Sequence, residues 1–369
     1  MLAFSTEGRS AMRIALFGFP MTGKSTIFTL LTGVTPPAHA APGEAHVGIA
    51  RVPDDRLERL AEMYRPEKTT PATVEYIDLA GVEKGEAADV LPLDRLRTAE
   101  ALAHVVRGFR DESVPHVEGS IDPARDWETM ETELLLADHT IAERRVRKLE
   151  ELVRKAHRDE ERHELEILKK CLGSLERGEP LRNVDFPEGD RRALRGFTFL
   201  TLKPLLVVVN ADESDAARLS GGAESFGLGV PAGRPATEVV AMSAKIESEI
   251  AQLDRADADA FRSDLGIQEP AIDRIIRASY HLLGSISFFT VGQDECRAWT
   301  IARGTAAQRA AGAIHSDIER GFIRAEAVAY DDLQSAGSWA ACRDVGSLRL
   351  EGKDYVVRDG DVINFRFNV

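Results

Sequence analysis

Gly18-Phe19-Pro20-Met21-Thr22-Gly23-Lys24-Ser25 stands directly behind the apolar run Ile14-Ala15-Leu16-Phe17. The spacing is G-x-x-x-x-G-K-[ST], with strand before and helix after, the context in which the pattern makes a phosphate-binding loop. Glycines let the backbone curl until successive N–H groups converge on phosphate oxygens. Lys24 adds a point charge at the β- and γ-phosphates, and the Ser25 hydroxyl is of the right type to ligate Mg²⁺. Phe19, Pro20, Met21, Thr22 and Gly23 form the loop, and Thr26 to Leu31 read as the first turns of the helix. This pattern implies a bound nucleoside triphosphate, or close descent from a protein that bound one.

Two more stretches extend the site. Asp78-Leu79-Ala80-Gly81 follows the strand-like Val74–Ile77, in the D-x-x-G arrangement of nucleotide switches. There the aspartate holds Mg²⁺ through water and the Gly81 N–H senses the γ-phosphate. Asn210-Ala211-Asp212-Glu213 ends a buried strand and stands where guanine-specific proteins carry N-K-x-D. The aspartate of that motif accepts from guanine N1–H and the exocyclic amine; a longer, displaced Glu213 weakens that selection. Asp212, one residue away, leaves the guanine reading open. Ser243-Ala244-Lys245, after Val239–Met242, is placed to close over the base.

These residues need a scaffold. From Met12 to about Ala137 strand-like runs (Ile14–Phe17, Thr73–Ile77, Ala103–Val106) alternate with helical stretches, predicting a mostly parallel sheet covered by helices. Between about Asp138 and Thr201, Val146, Leu149, Val153 and Ala156 recur at helical spacing, as do Leu165, Leu168, Leu172 and Leu175. The expectation is two antiparallel helices, a hairpin or short coiled coil, joined at a charged tip around Arg158 to His163. Its alternating charges read first as a solvated face. Pro204–Asn210 returns to the sheet, and Ser214–Pro235 reads as a surface loop. From about Gly284, short strands (Ser287–Val291, Arg297–Ile301, Ile323–Val328, Val362–Phe367) surround one helix near Ala306–Ala311, a compact α+β module of the β-grasp kind. The expected domains are an extension over 1–11, a nucleotide domain over 12–137 plus 203–283, an inserted hairpin over 138–202 and a terminal module over 284–369.

The net charge is −14, from 47 Lys+Arg and 61 Asp+Glu, which argues against a general nucleic-acid coat. Basic clusters such as Arg144, Arg145, Arg147 and Lys148 still permit local RNA contact. Cys171, Cys296 and Cys342 are scattered and form no C-x-x-C pair, which fits a reducing cytoplasm and no zinc site. The most apolar run, Leu205–Val209, is too short to span a bilayer.

Taken together the chain resembles the YchF/Obg-like ATPase family, P-loop NTPases of the translation-factor-related class. The resemblance rests on G-x-P-x-x-G-K-S-T at Gly18–Thr26, V-P-D-x-R-L at Val52–Leu57, P-E-K at Pro66–Lys68 and P-A-T-V-E at Pro71–Glu75. It continues through H-V-V-R-x-F at His104–Phe109, N-x-x-E at Asn210–Glu213, the tract from Phe288 to Glu326 and the ending G-K-D-Y-V-V-R-D-G-D-V-I-N-F-R-F-N-V. It implies a Ras-like P-loop α/β domain with an inserted helical hairpin and a C-terminal β-grasp (TGS) domain. It also implies preference for ATP over GTP, Mg²⁺ as cofactor, and association with ribosomes, with RNA contact through the hairpin and TGS domain. Val82 occupies the place where related GTPases put a water-orienting Gln, and the resemblance assigns that task to His116. The switches depart from the family. Lys84 to Pro92 is short and nearly glycine-free, Thr35–Gly48 lacks a clear Thr for the Mg²⁺ site, and Met21 replaces the usual Asn. Three readings follow: a slow ATPase switch, a GTPase of the same fold, and a module that holds nucleotide with little turnover.

Overall fold

The computed structural model describes residues 12–37, 45–79, 93–155, 159–219, 224–228 and 236–368. The expected extension over 1–11, Gly81 and the stretch from Lys84 to Pro92 lie outside them. Along the chain come β1 (Arg13–Phe17), α1 (Lys24–Thr32), β2 (Ala45–Arg51), α2 (Asp55–Tyr64), β3 (Lys68–Thr70), β4 (Thr73–Leu79), α3 (Leu93–Leu96) and β5 (Ala101–Gly108). Two long helices follow, α4 (Pro123–Lys155) and α5 (Asp159–Glu176), then α6 (Glu188–Leu194), β6 (Leu205–Ala211) and β7 (Thr237–Met242). Helices α7 (Ala244–Ile250), α8 (Arg255–Asp264) and α9 (Ala271–Leu282) precede a second set of strands. That set is β8 (Ser285–Thr290), β9 (Glu295–Ala302), β10 (Phe322–Ala329), β11 (Arg349–Glu351) and β12 (Asp361–Phe367). Among them lie α10 (Ala307–Ile314), α11 (Ser316–Arg320), α12 (Tyr330–Ala336) and α13 (Trp339–Asp344).

The chain forms two compact units. The first, residues up to Gly48 with Glu75–Ile275, is built on a sheet of order β2-β4-β1-β5-β6-β7. Strands β4, β1, β5, β6 and β7 run parallel to one another. Parallel strands covered on both faces must be apolar throughout, and Leu205 to Ala211 is buried at every position. Ala15, Phe17, Leu102, Val106, Val207 and Val209 make the core of this sheet with Trp127, Met130 and Leu134 of α4.

Those last three residues correct the expected hairpin boundary. The first arm begins at Pro123, not near Asp138, because Pro is well placed at a helix start and Asp122 caps the turn, accepting from Arg125 N at 3.1 Å. One continuous helix changes partners: Trp127 to Leu134 pack on the sheet, while Ala142, Val146 and Leu149 pack against Ile167, Leu168, Cys171 and Leu175 of α5. The charged tip is also shorter than expected. Asp159, Glu160 and Glu161 already form the first turn of α5, where acidic side chains meet the positive end of the helix dipole. The hairpin base is pinned by Asp138, which is fully buried and accepts from Leu200 N (3.0 Å), Thr201 N (2.7 Å) and Thr201 Oγ1 (2.8 Å).

The second unit, Ile49–Val74 with Ile276–Val369, holds a sheet of order β11-β10-β12-β8-β9-β3. Residues 49–74, assigned from sequence to the nucleotide domain, therefore group with the C-terminal module. Strand β3 pairs in parallel with β9, and Leu57 and Leu60 are buried on α2, which packs on β9. Where one helix was expected there are α10 to α13. Ala307, Ala310 and Ala311 of α10 pack on Ile286, Phe288, Ala325, Ala327 and Ile363. Among the described residues no helix is long and apolar enough to cross a membrane.

Candidate nucleotide site

The loop from β1 into α1 has the backbone that phosphate binding requires. Gly18 has φ 137° and Gly23 φ 93°. A Cβ on Gly18 would stand 2.4 Å from Val105 O, and one on Gly23 would stand 2.4 Å from Asn210 Nδ2, so neither position accepts a side chain. Gly23 precedes the first residue of α1, whose early N–H groups and positive dipole end face outward with Ser25 and Thr26 exposed. Pro20 and Met21 are exposed, and Met21 holds φ 62°, a left-handed conformation that Asn tolerates better than Met.

Lys24 is buried and donates to Phe19 O (2.7 Å) and Gly18 O (3.2 Å). Two of the three ammonium protons thus hold the loop in shape and one remains. Burial pulls the Lys24 pKa down to about 8, while Asp78 opposes the fall. Asp78, at the end of β4, is buried, and its Oδ1 has no hydrogen-bond partner among the described residues. An orphaned carboxylate oxygen beside a buried ammonium fits a divalent cation held jointly with Ser25.

At the other end Asn210 acts as a latch. Its Nδ2 donates to Thr22 O (3.0 Å) and its Oδ1 accepts from Ala244 N (2.9 Å), joining the phosphate loop to the segment after β7. Its amide is committed within the protein, so the structure makes Asn210 an organiser of the site. Ser243 caps α7. Asp212 accepts from Arg110 N (3.1 Å), Ser214 N (3.1 Å) and Ser214 Oγ (2.8 Å), and these backbone donors hold its carboxyl below the ordinary range. Glu213 is exposed and pairs with Lys245.

His116 is bound on both sides of its ring. Nδ1 accepts from Glu118 N at 3.1 Å, so the proton sits on Nε2, which donates to Asp126 Oδ2 at 2.8 Å. The ring lies edge-on to Phe19 with centroids 6.3 Å apart, beside the phosphate loop. Asp126, itself buried, also receives Arg125 at 2.7 Å.

Three residues here escaped the sequence as site chemistry. Asp126 sits ten positions after His116 in sequence, on a helix whose start was misplaced. Arg107 is almost wholly buried; its guanidinium donates to Phe109 O, Asp111 O and Val114 O and shapes the loop leading to His116. His104 stacks between Phe17 (4.8 Å) and Trp127 (5.8 Å) behind Gly18. Burial, with Lys24 adding to it, drives the His104 pKa down to about 3, and neither ring nitrogen has a partner among the described residues. The H-V-V-R run was visible, but nothing in it said that its polar side chains point inward.

Comparison with known proteins agrees with this geometry. A family model named YchF-GTPase_C, described as a protein of unknown function (DUF933), matches residues 285–368. The "Ribosome-binding ATPase YchF" of Bacillus subtilis (strain 168) is 43% identical over 97% of this chain and 100% of its own length. The chain belongs to the YchF family. The protein of the same name from Escherichia coli O157:H7 is 38% identical, over 97% of this chain and 99% of its own. The solved structure of the Schizosaccharomyces pombe YchF GTPase superposes with a TM-score of 0.84 at 30% identity, covering 97% of this chain and 99% of that one. The family fold is a P-loop α/β domain with helical and C-terminal domains, as found here.

Proposed function

We propose that this chain is an ATPase switch that works on ribosomes in the cytoplasm, binding ATP with Mg²⁺ and hydrolysing it slowly. The observation that carries the reading is the Lys24–Asp78 corner, latched by Asn210 to the loop that closes over the base. The bacterial relatives are named ribosome-binding ATPases, which supports the partner and the reaction class.

Lys24 and the first N–H groups of α1 hold the phosphates in line for attack by water, and Lys24 balances charge that grows on the β–γ bridging oxygen. Ser25 and Asp78 would hold Mg²⁺, which would supply charge neutralisation for the transferring phosphoryl group. Gly81 lies outside the described residues, and its γ-phosphate contact stays part of the proposal. Glu213 is the base reader. Asp212 is spent on Arg110 and Ser214, which favours the displaced carboxylate and hence adenine. The terminal unit is a TGS-type module that, with the hairpin, meets ribosomal RNA or protein. Intrinsic turnover is expected near the roughly 10⁻⁴ to 10⁻³ s⁻¹ of unactivated relatives in the wider class.

His116 favours a second reading, a nucleotide-holding module with little turnover. Its ring must leave Asp126 or Glu118 before it can orient water. Calorimetry with ATP and GTP, each with Mg²⁺, and phosphate release with and without ribosomes separate the readings. ATP tighter by tenfold, about 1.4 kcal/mol, with ribosome-stimulated release supports the switch. Tighter GTP binding moves the chain to the GTPase class, and tight ATP binding without release leaves the holding module.

A further inference from the structure

The second unit contains a cavity that the nucleotide reading does not use. Strands β8 and β12 share one register pair, Val362↔Phe289. Beyond it β8 ends at Thr290, while β12 runs on to Phe367, paired on its other side with β10. Residues of both strands, with Tyr64 and Trp339, line a cavity of about 350 Å³: Thr290, Asn364, Phe365 and Phe367 are among them. Tyr64 Oη is buried with no partner among the described residues, and burial holds it in the phenol form. Trp339 is presented by the first turn of α13, which Ser338 caps.

Asn364, which lines the cavity, belongs to a charged face of β12. Asn364 and Arg366 lie two residues apart on one face of β12, opposite Glu326 and Arg324 of β10. Arg366 meets Glu326 at 3.0 Å and Arg324 meets it at 3.7 Å, so two half-exposed guanidiniums share one buried carboxylate. The cluster is one positive charge in excess in a chain that is acidic overall. Aromatic faces with amide and hydroxyl groups suit a planar base, and guanidinium forks suit phosphate.

We propose that this cavity binds a nucleobase, with Arg366 and Arg324 taking its phosphate, as a free nucleotide or as one residue of single-stranded RNA. In its RNA form the proposal rests on the reading that the terminal unit meets RNA. The test uses the full chain with its phosphate loop saturated by ATP and Mg²⁺. Labelled 5′-hydroxyl RNA hexamers of adenine or uracil are titrated by anisotropy, and AMP is titrated by tryptophan fluorescence. Trp339→Ala should weaken binding roughly tenfold, as loss of one stacking platform does. Trp339→Phe, which keeps a ring, should retain most of it. Arg366→Gln should weaken binding and lower the salt slope by about one. Hexamer binding unaffected by AMP assigns the site to RNA, and AMP binding without hexamer binding assigns it to a free nucleotide. Hexamer binding that all three variants leave unchanged overturns the site but not RNA contact. Binding of neither probe overturns both.

Discussion

The two ends of the candidate nucleotide site differ in what their polar groups are doing. At the phosphate end, Asp78 Oδ1 lacks a partner among the described residues and Lys24 keeps one proton to give. At the base end, Asn210 and Asp212 are bonded within the protein and Glu213 is paired with an exposed lysine. Unmet hydrogen-bonding capacity in a buried place costs free energy that a ligand can recover. Phosphate recognition should therefore dominate affinity, and base recognition should be a small correction resting on a salt bridge in solvent.

The largest break in this contrast is Lys24→Ala. Loss of a charged donor to phosphate should weaken ATP about 100-fold by calorimetry and abolish phosphate release. Affinity near that of the unaltered chain would mean the phosphate end is not where binding energy arises. Next comes Asn210→Ala, which strands Thr22 O and Ala244 N. It should cost about 1–3 kcal/mol in urea unfolding and loosen ATP and GTP alike. A selective loss of one nucleotide would show Asn210 reading the base after all.

pH sharpens the comparison. The Lys24 pKa is lowered to about 8 in the folded chain, below its ordinary value, so the folded state binds fewer protons than the unfolded one between pH 8 and 10.5. The cost of burying the ammonium is thus fully present below pH 8 and relieved above it. Nucleotide phosphate restores the charged form, so binding near pH 9 should take up a proton and weaken as pH rises. Calorimetry in buffers of different ionisation enthalpy reads that uptake; a pH-independent affinity would contradict it. His104 works on the acid side. With a folded pKa of about 3 against an ordinary 6.5, stability is lost as pH falls through that interval. His104→Phe keeps the stack between Phe17 and Trp127, removes two buried unpartnered nitrogens and should flatten the acid limb, raising stability by about 1–3 kcal/mol near pH 5. The smallest effect belongs to Met21→Asn, which relieves a left-handed strain and should add about 0.5 kcal/mol in thermal unfolding.

The backbone shape of the loop from β1 into α1 was legible because glycine spacing reports it directly. The parallel sheet was legible for a similar reason: strands buried on both faces write continuous apolar runs, as in Leu205–Val209. The long helix α4 was misplaced at its start because one apolar stripe serves two cores, and periodicity does not name the partner. Asp126, Arg107 and His104 were missed for a third reason. A polar residue in a strand or at a helix start has no local sign telling whether it faces water or a buried neighbour. Asn210 and His116 stood out in the sequence, but their hydrogen bonds did not: Asn210 bonds Thr22 and Ala244, far away along the chain, and His116 bonds Asp126 across a turn that periodicity does not report.

The stretch from Ile49 to Val74 carries a lesson for anyone who would take this chain apart. It begins at the end of β2, lays α2 and β3 on the strand β9 that the chain makes far later, and returns as β4, which carries Asp78. A truncation before Gly284 would strip Leu57 and Leu60 of the surface they bury against. The terminal module is sewn in rather than appended, so it cannot be shuffled, lost or grafted by a single cut.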